Sequence, residues 1–142
     1  LAALGRLVPA AEAYNRALTL RRDLGQHGLA IDDLAGLARV ALAQDDKARA
    51  AACVDEILRW VEANGVGGIE YPLQVDLTCY TVLRETAQGD AMKLAQAHSI
   101  LTRAHTALMK RAADIGDETL RRKFLEDVAA HRDIVAAWQQ NT

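Results

Sequence analysis

The chain has 142 residues, a net charge of −2 and 51% hydrophobic residues, and 28 alanines with 19 leucines make up a third of it. High apolar content at small net charge excludes disorder, the lack of a basic surplus argues against nucleic-acid binding, and no run free of Asp, Glu, Lys and Arg exceeds nine residues, as at Leu94–Thr102, against the roughly 20 that a membrane span needs. Two helix-favouring residue types in such excess, with only two prolines, imply one all-α domain over residues 1–142.

Leu1 to Gly5 reads as the last turn of a helix and its glycine stop, and a chain opening on Leu with no signal peptide is expected to be a piece of a longer, cytoplasmic protein. From Leu7 through Ala10, Ala11, Tyr14, Ala17 and Leu18 to Leu24, apolar residues keep the spacing of one helix face, which predicts a helix over about 8–25 with Pro9 in its first turn and Gly25 as its stop. Ile31, Leu34, Leu37, Ala38, Ala41 and Leu42 mark a second helix. It breaks at Gln44-Asp45-Asp46, where Asp46 caps a third carrying Val54, Ile57, Leu58 and Val61. Asn64-Gly65-Val66-Gly67-Gly68 is the strongest turn signal and the widest break. Pro72 opens a fourth helix with Leu73, Leu77, Tyr80, Leu83 and Ala87, stopped by Gln88-Gly89 before the cap Asp90. The fifth runs through Leu94, Ala97, Leu101, Ala104, Leu108, Ala112 and Ile115. After Gly116 and the cap Asp117 come a sixth, with Leu120, Phe124 and Val128, and a seventh, with Ile134, Val135 and Trp138. Seven helices on short turns predict antiparallel neighbours.

Polar turns at Gly5-Arg6, Asp45-Asp46 and Gly89-Asp90 introduce the second helix of successive pairs, a period of 40 and then 44 residues that marks a helical-hairpin array. Around Ala10, Tyr14 and Ala17 the pattern of small, aromatic and small residues resembles the second helix of a tetratricopeptide repeat, with Ala3-Leu4-Gly5-Arg6 as its inter-helix turn. A second repeat offers Leu34, Leu37, Ala38 and Ala41, then Ala50, Val54 and Ile57, with Leu where the family has Trp. A third places Leu94, His98 and Leu101 on its second helix. The run from Arg121 to Trp138, behind a long helix with Arg103-Ala104-His105, resembles the C-terminal end of tetratricopeptide regions in large bacterial regulatory proteins.

The resemblance implies a right-handed array of antiparallel hairpins, an α–α superhelix, divided into a partial repeat over 1–26, repeats over 28–64 and 70–116, and capping helices over 117–142. Ala10, Tyr14, Ala17, Leu37, Ala38 and Ala50 are its expected packing positions. First helices would line a concave groove, with Asp32, Ala35, Arg39 and Ala43 from the second repeat and Asp76, Cys79, Leu83 and Thr86 from the third. Asp32, Arg39, Asp76 and Thr86 are the candidate partner-binding residues, against the plainer reading of a solvated face.

The chemistry-bearing residues argue against an enzyme. His98 and His105 lie seven apart, about 10 Å along a helix, with no third ligand at metal-binding spacing. Asp32-Asp33 and Asp45-Asp46 suit capping and solvation. The glycines at 65–68 lack the Lys-Ser/Thr of a phosphate loop, and Ser99 has no nucleophile elbow. Cys53 and Cys79 read as reduced packing residues, with a disulfide or a reactive thiol as the other options. Lys110-Arg111 and Arg121-Arg122-Lys123 form a basic helix end or a docking site for an acidic partner, and Trp60 and Trp138 are core anchors or interface residues. The expectation is a non-catalytic protein–protein interaction scaffold without cofactor or metal, of a bacterial signalling or transcription-regulating protein. It would bind a protein, a peptide or a second copy of itself, and neither nucleic acid nor membrane. The alternative is a small-molecule sensor region controlling an N-terminal NTPase, kinase or DNA-binding domain.

Overall fold

The computed structural model describes residues 4–141, which form seven helices and no strand. They are α1 (Leu4–Asp23), α2 (His27–Ala43), α3 (Lys47–Asn64), α4 (Pro72–Thr86), α5 (Ala91–Ala113), α6 (Glu118–Glu126) and α7 (Ala129–Gln140). Their order of contact makes an array. The helices α2, α4 and α7 touch in succession as one row, α1 lies against α2, α3 against α2 and α4, and α5 against α4 and α7. The short α6 bridges α5 and α7.

Capping aspartates fix three of the helix starts. Asp46 accepts from the Arg49 amide at 3.1 Å, Asp90 from Met92 at 2.9 Å and Lys93 at 3.3 Å, and Asp117 from Leu120 at 2.9 Å, each satisfying amides that the first turn leaves open. Pro72 begins α4, where a missing N–H costs nothing.

Burial follows the helix period. Ala50, Val54 and Ile57 make a one-sided stripe on α3, and Ala97, Leu101, Ala104, Leu108 and Ala112 do the same on α5. By contrast α2 is buried nearly all round, because α1, α3 and α4 all close on it, and its alanines and Gly36 let them approach. Tyr14 lays its ring across Gly36, where any Cβ would overlap the ring carbons. At the start of α2, Gly28 meets the backbone of Gly68 in the α3–α4 loop, again with no room for a Cβ. Leu37, Ala38 and Ala50 are buried, while Ala10, Tyr14 and Ala17 are half-buried on α1.

Several boundaries differ from expectation: α1 ends at Asp23 rather than near 25, and Ala87 and Ile115, assigned to the fourth and fifth helices, lie just past the ends of α4 and α5. The turn predicted at Gly5-Arg6 lies inside α1, and Pro9 stands in its second turn rather than its first, because the helix begins earlier than the apolar pattern and one exposed glycine does not stop it. The part of that expectation on Leu1–Ala3 lies outside the described residues. Val128, assigned to the sixth helix, is the extended N-cap of α7, since α6 ends at Glu126. No helix among the described residues is long and apolar enough to cross a membrane.

Candidate functional site

The row α2–α4–α7 presents one semi-exposed face, built by residues at helical spacing. From α2 come Asp32 and Arg39, from α4 Gln74, Leu77, Thr78 and Thr81, and from α7 Ala129, Ala130 and Asp133. Three clefts run along it. The first, of about 180 Å³, lies between α1, α2 and the start of α4 and is lined by Tyr14, Arg21, Asp33 and Glu70. The second, of about 210 Å³, lies between α2, α4 and α7. The third, of about 310 Å³, lies where α4 and α7 begin, against Tyr71, Arg111 and His131. Gln74 lines all three. Its backbone carbonyl accepts the Thr78 hydroxyl at 2.9 Å, while its exposed side-chain amide has no hydrogen-bond partner among the described residues.

Asp32 is held at one end of this face. Its carboxylate accepts from the Glu70 amide at 2.8 Å and the Tyr71 amide at 3.0 Å, so a side chain of α2 caps the approach to α4. The neighbouring Asp33 is buried, with Oδ2 3.3 Å from Arg21 Nε but no aligned hydrogen bond. Burial pushes its carboxyl above the usual range; Arg21 opposes the rise, and Asp32 adds to it.

Arg39 is half-buried and donates from Nη1 to Thr78 Oγ1 at 3.0 Å, with no ion-pair partner among the described residues. It borders both the first and the second cleft. Asp133, exposed in the second turn of α7, likewise has no side-chain partner among the described residues.

Two other candidate residues sit elsewhere. Asp76 turns away from the face and is clasped by Arg103 of α5 through Nη2 at 2.7 Å and Nε at 3.4 Å, and burial raises its carboxyl although Arg103 opposes the shift. Thr86 gives its hydroxyl to the Val82 carbonyl at 2.7 Å near the end of α4. Cys79 and Leu83, expected beside them, are buried, and the Cys79 thiol is pushed up to about 12 by desolvation. Of the expected groove positions on α4, Asp76, Cys79 and Leu83 are thus buried and Thr86 is half-buried. Gln74, Thr78 and Thr81, polar residues at i, i+4 and i+7 behind the opening Pro72, are the signal that marks the other face.

The remaining chemical residues are used in packing. Trp138 stacks nearly parallel on His105, with ring centroids 4.4 Å apart, and lies 6.2 Å from His98, which fastens α7 to two turns of α5. Desolvation lowers the His105 pKa. Arg121 does not join a basic patch, because it donates to the carbonyls of Ala112 at 3.1 Å and Ile115 at 2.6 Å and closes the end of α5. No group of three or more His, Cys, Asp or Glu side chains placed to hold a metal occurs among the described residues. No family model, curated protein or solved structure matches the chain.

Proposed function

We propose that this chain is a non-catalytic binding module, a tetratricopeptide-like array of a bacterial regulatory or signalling protein in the cytoplasm, which takes a peptide segment of a partner along the row α2–α4–α7. The observation that supports it is the chain of three clefts meeting at Gln74. An extended peptide needs pockets at successive side chains and an amide or hydroxyl to pair with its backbone, and Gln74 has a side-chain amide to spare. The tetratricopeptide reading draws on the Ala10-Tyr14-Ala17 pattern and on the alternation of row helices with helices packed behind them. A right-handed turn of the array belongs to the same reading.

The test is selection of displayed random peptides on the immobilised protein, followed by titration of the winners against Gln74→Trp. Gln74 is exposed, so the substitution blocks the junction of the clefts without disturbing the core. The expected result is selected peptides whose affinity falls by at least about tenfold in the variant at an unchanged unfolding midpoint. Selection of nothing, or of peptides indifferent to the substitution, overturns the reading.

A further inference from the structure

The lining of the second cleft specifies a ligand of its own. Helix α4 forms the floor and α2 and α7 the walls, since α4 touches both while α2 and α7 do not touch each other. The apolar part comes from Leu42, Leu77, Val82 and Ala129. One wall carries the Arg39 guanidinium and the other the Asp133 carboxylate, one fixed charge of each sign. Neither has an ion-pair partner among the described residues, and Arg39 makes a single hydrogen bond, to Thr78. A half-buried guanidinium with one hydrogen bond has donors to spare, and those of Arg39 are not buried.

We propose that this cleft binds a free aliphatic α-amino acid. The carboxylate faces Arg39, the ammonium faces Asp133, and the hydrocarbon side chain lies on Leu42, Leu77 and Val82. At about 210 Å³ the cleft falls below the range that takes drug-sized molecules and suits a ligand of about nine heavy atoms. The hydroxyls sharpen the polarity. Thr78 and Thr81 both spend their protons on backbone carbonyls, of Gln74 and Leu77, each at 2.9 Å, so toward the cleft they are acceptors only. Thr78 receives Arg39, which leaves Thr81 to receive the ammonium, and the Gln74 amide N–H adds to the carboxylate end. A residue inside a peptide chain carries neither terminal charge and meets neither wall, whereas the zwitterion meets both.

The inference stands beside the peptide reading and does not rest on it, because a groove that selects no peptide leaves the following titration unaffected. Leucine is titrated calorimetrically into the whole chain, alongside 4-methylpentanoate, which lacks the ammonium, and 3-methylbutylamine, which lacks the carboxylate. Leucine is expected to bind and to raise the unfolding midpoint, with each one-charge analogue weaker by at least about tenfold. Asp133→Asn, at an exposed position, is expected to weaken leucine about tenfold and to leave the weak binding of 4-methylpentanoate unchanged. Arg39→Gln, checked for an unchanged unfolding midpoint, gives the mirror result with the amine. Absence of binding by leucine, isoleucine, valine and methionine at about 10 mM overturns the proposal, as does leucine binding indifferent to Asp133→Asn.

Discussion

The middle of the array and its C-terminal end are built from similar helices yet are held together differently. In the middle, α2 is enclosed on three sides and is keyed to its neighbours by glycine crossings and by the Asp32 cap. At the end, α6 has no buried residue and α7 has one, Ile134; partly buried Phe124, Val135 and Trp138 supply the rest of the apolar contact. The number of surrounding helices does not account for the contrast, since α7 touches three as α2 does; the depth of burial does, with ten buried residues on α2 against one on α7. Stability in an array is the sum of what each helix shares with its neighbours, and α6 and α7 share less buried surface with theirs. The C-terminal end is therefore expected to open at lower free energy than the centre.

The largest effect that probes this contrast is deletion of core volume. Ile57→Ala and Ile134→Ala remove the same side chain from positions that are both fully buried, at a cost of about 2–5 kcal/mol each. For Ile57 the loss is expected in global unfolding, read by denaturant titration. For Ile134 it is expected mainly as faster hydrogen exchange confined to α6 and α7, and equal exchange in α2 would erase the distinction between the regions.

Next in size is Gly28→Ala. Its Cβ meets the backbone of Gly68, not a movable side chain, so about 1–3 kcal/mol of thermal stability is expected to be lost, whereas Gly67→Ala, which meets nothing within 4 Å, is expected to cost little. Loss of a charged cap comes third. Asp32→Ala frees the Glu70 and Tyr71 amides and is expected to cost about 0.5–2 kcal/mol, with Asn recovering part of it through its single oxygen.

The smallest effect is pH-dependent and belongs to the C-terminal end alone. The folded state lowers the His105 pKa below its ordinary 6.5, so the unfolded chain binds the proton more readily. The stabilisation is complete above that value and is lost as pH falls through and below it. The protection of the α7 amides, taken relative to the intrinsic exchange rate at each pH, is expected to fall on acidification over this window in the native protein and to lose that component in His105→Gln. An unchanged profile would remove His105 from the set of groups that hold α7.

Much of this architecture can be read from the chain. The cap aspartates at 46, 90 and 117, the Pro72 start and the apolar stripes of α3 and α5 are local, so periodicity and capping chemistry find them. The face of α4 is not local. Eight of its fifteen residues are buried because four helices pack around it, and periodicity alone does not say which remaining strip faces solvent. Asp32 and Arg39 border clefts, whereas Asp76 is clasped by Arg103 and Thr86 bonds its own helix. The polar strip of Gln74, Thr78 and Thr81 is legible on α4, but the role of Gln74 as the junction of the clefts is not. Its position follows only from where three separate helices leave gaps, which is a property of the assembled row.

The segment between α3 and α4 is pinned twice by the same helix, through Gly28 against Gly68 and through Asp32 at the amides of Glu70 and Tyr71. Side-chain contacts between neighbouring hairpins slide by fractions of an ångström, but a backbone resting on a backbone and a carboxylate holding two amides do not. The joint between α2 and the α3–α4 loop thus behaves as a weld, fixing how α4 is set against α2. A change in the angle between neighbouring helices is therefore expected to fall beyond α4, where α7 is held by ring stacking on His105 and a single buried residue.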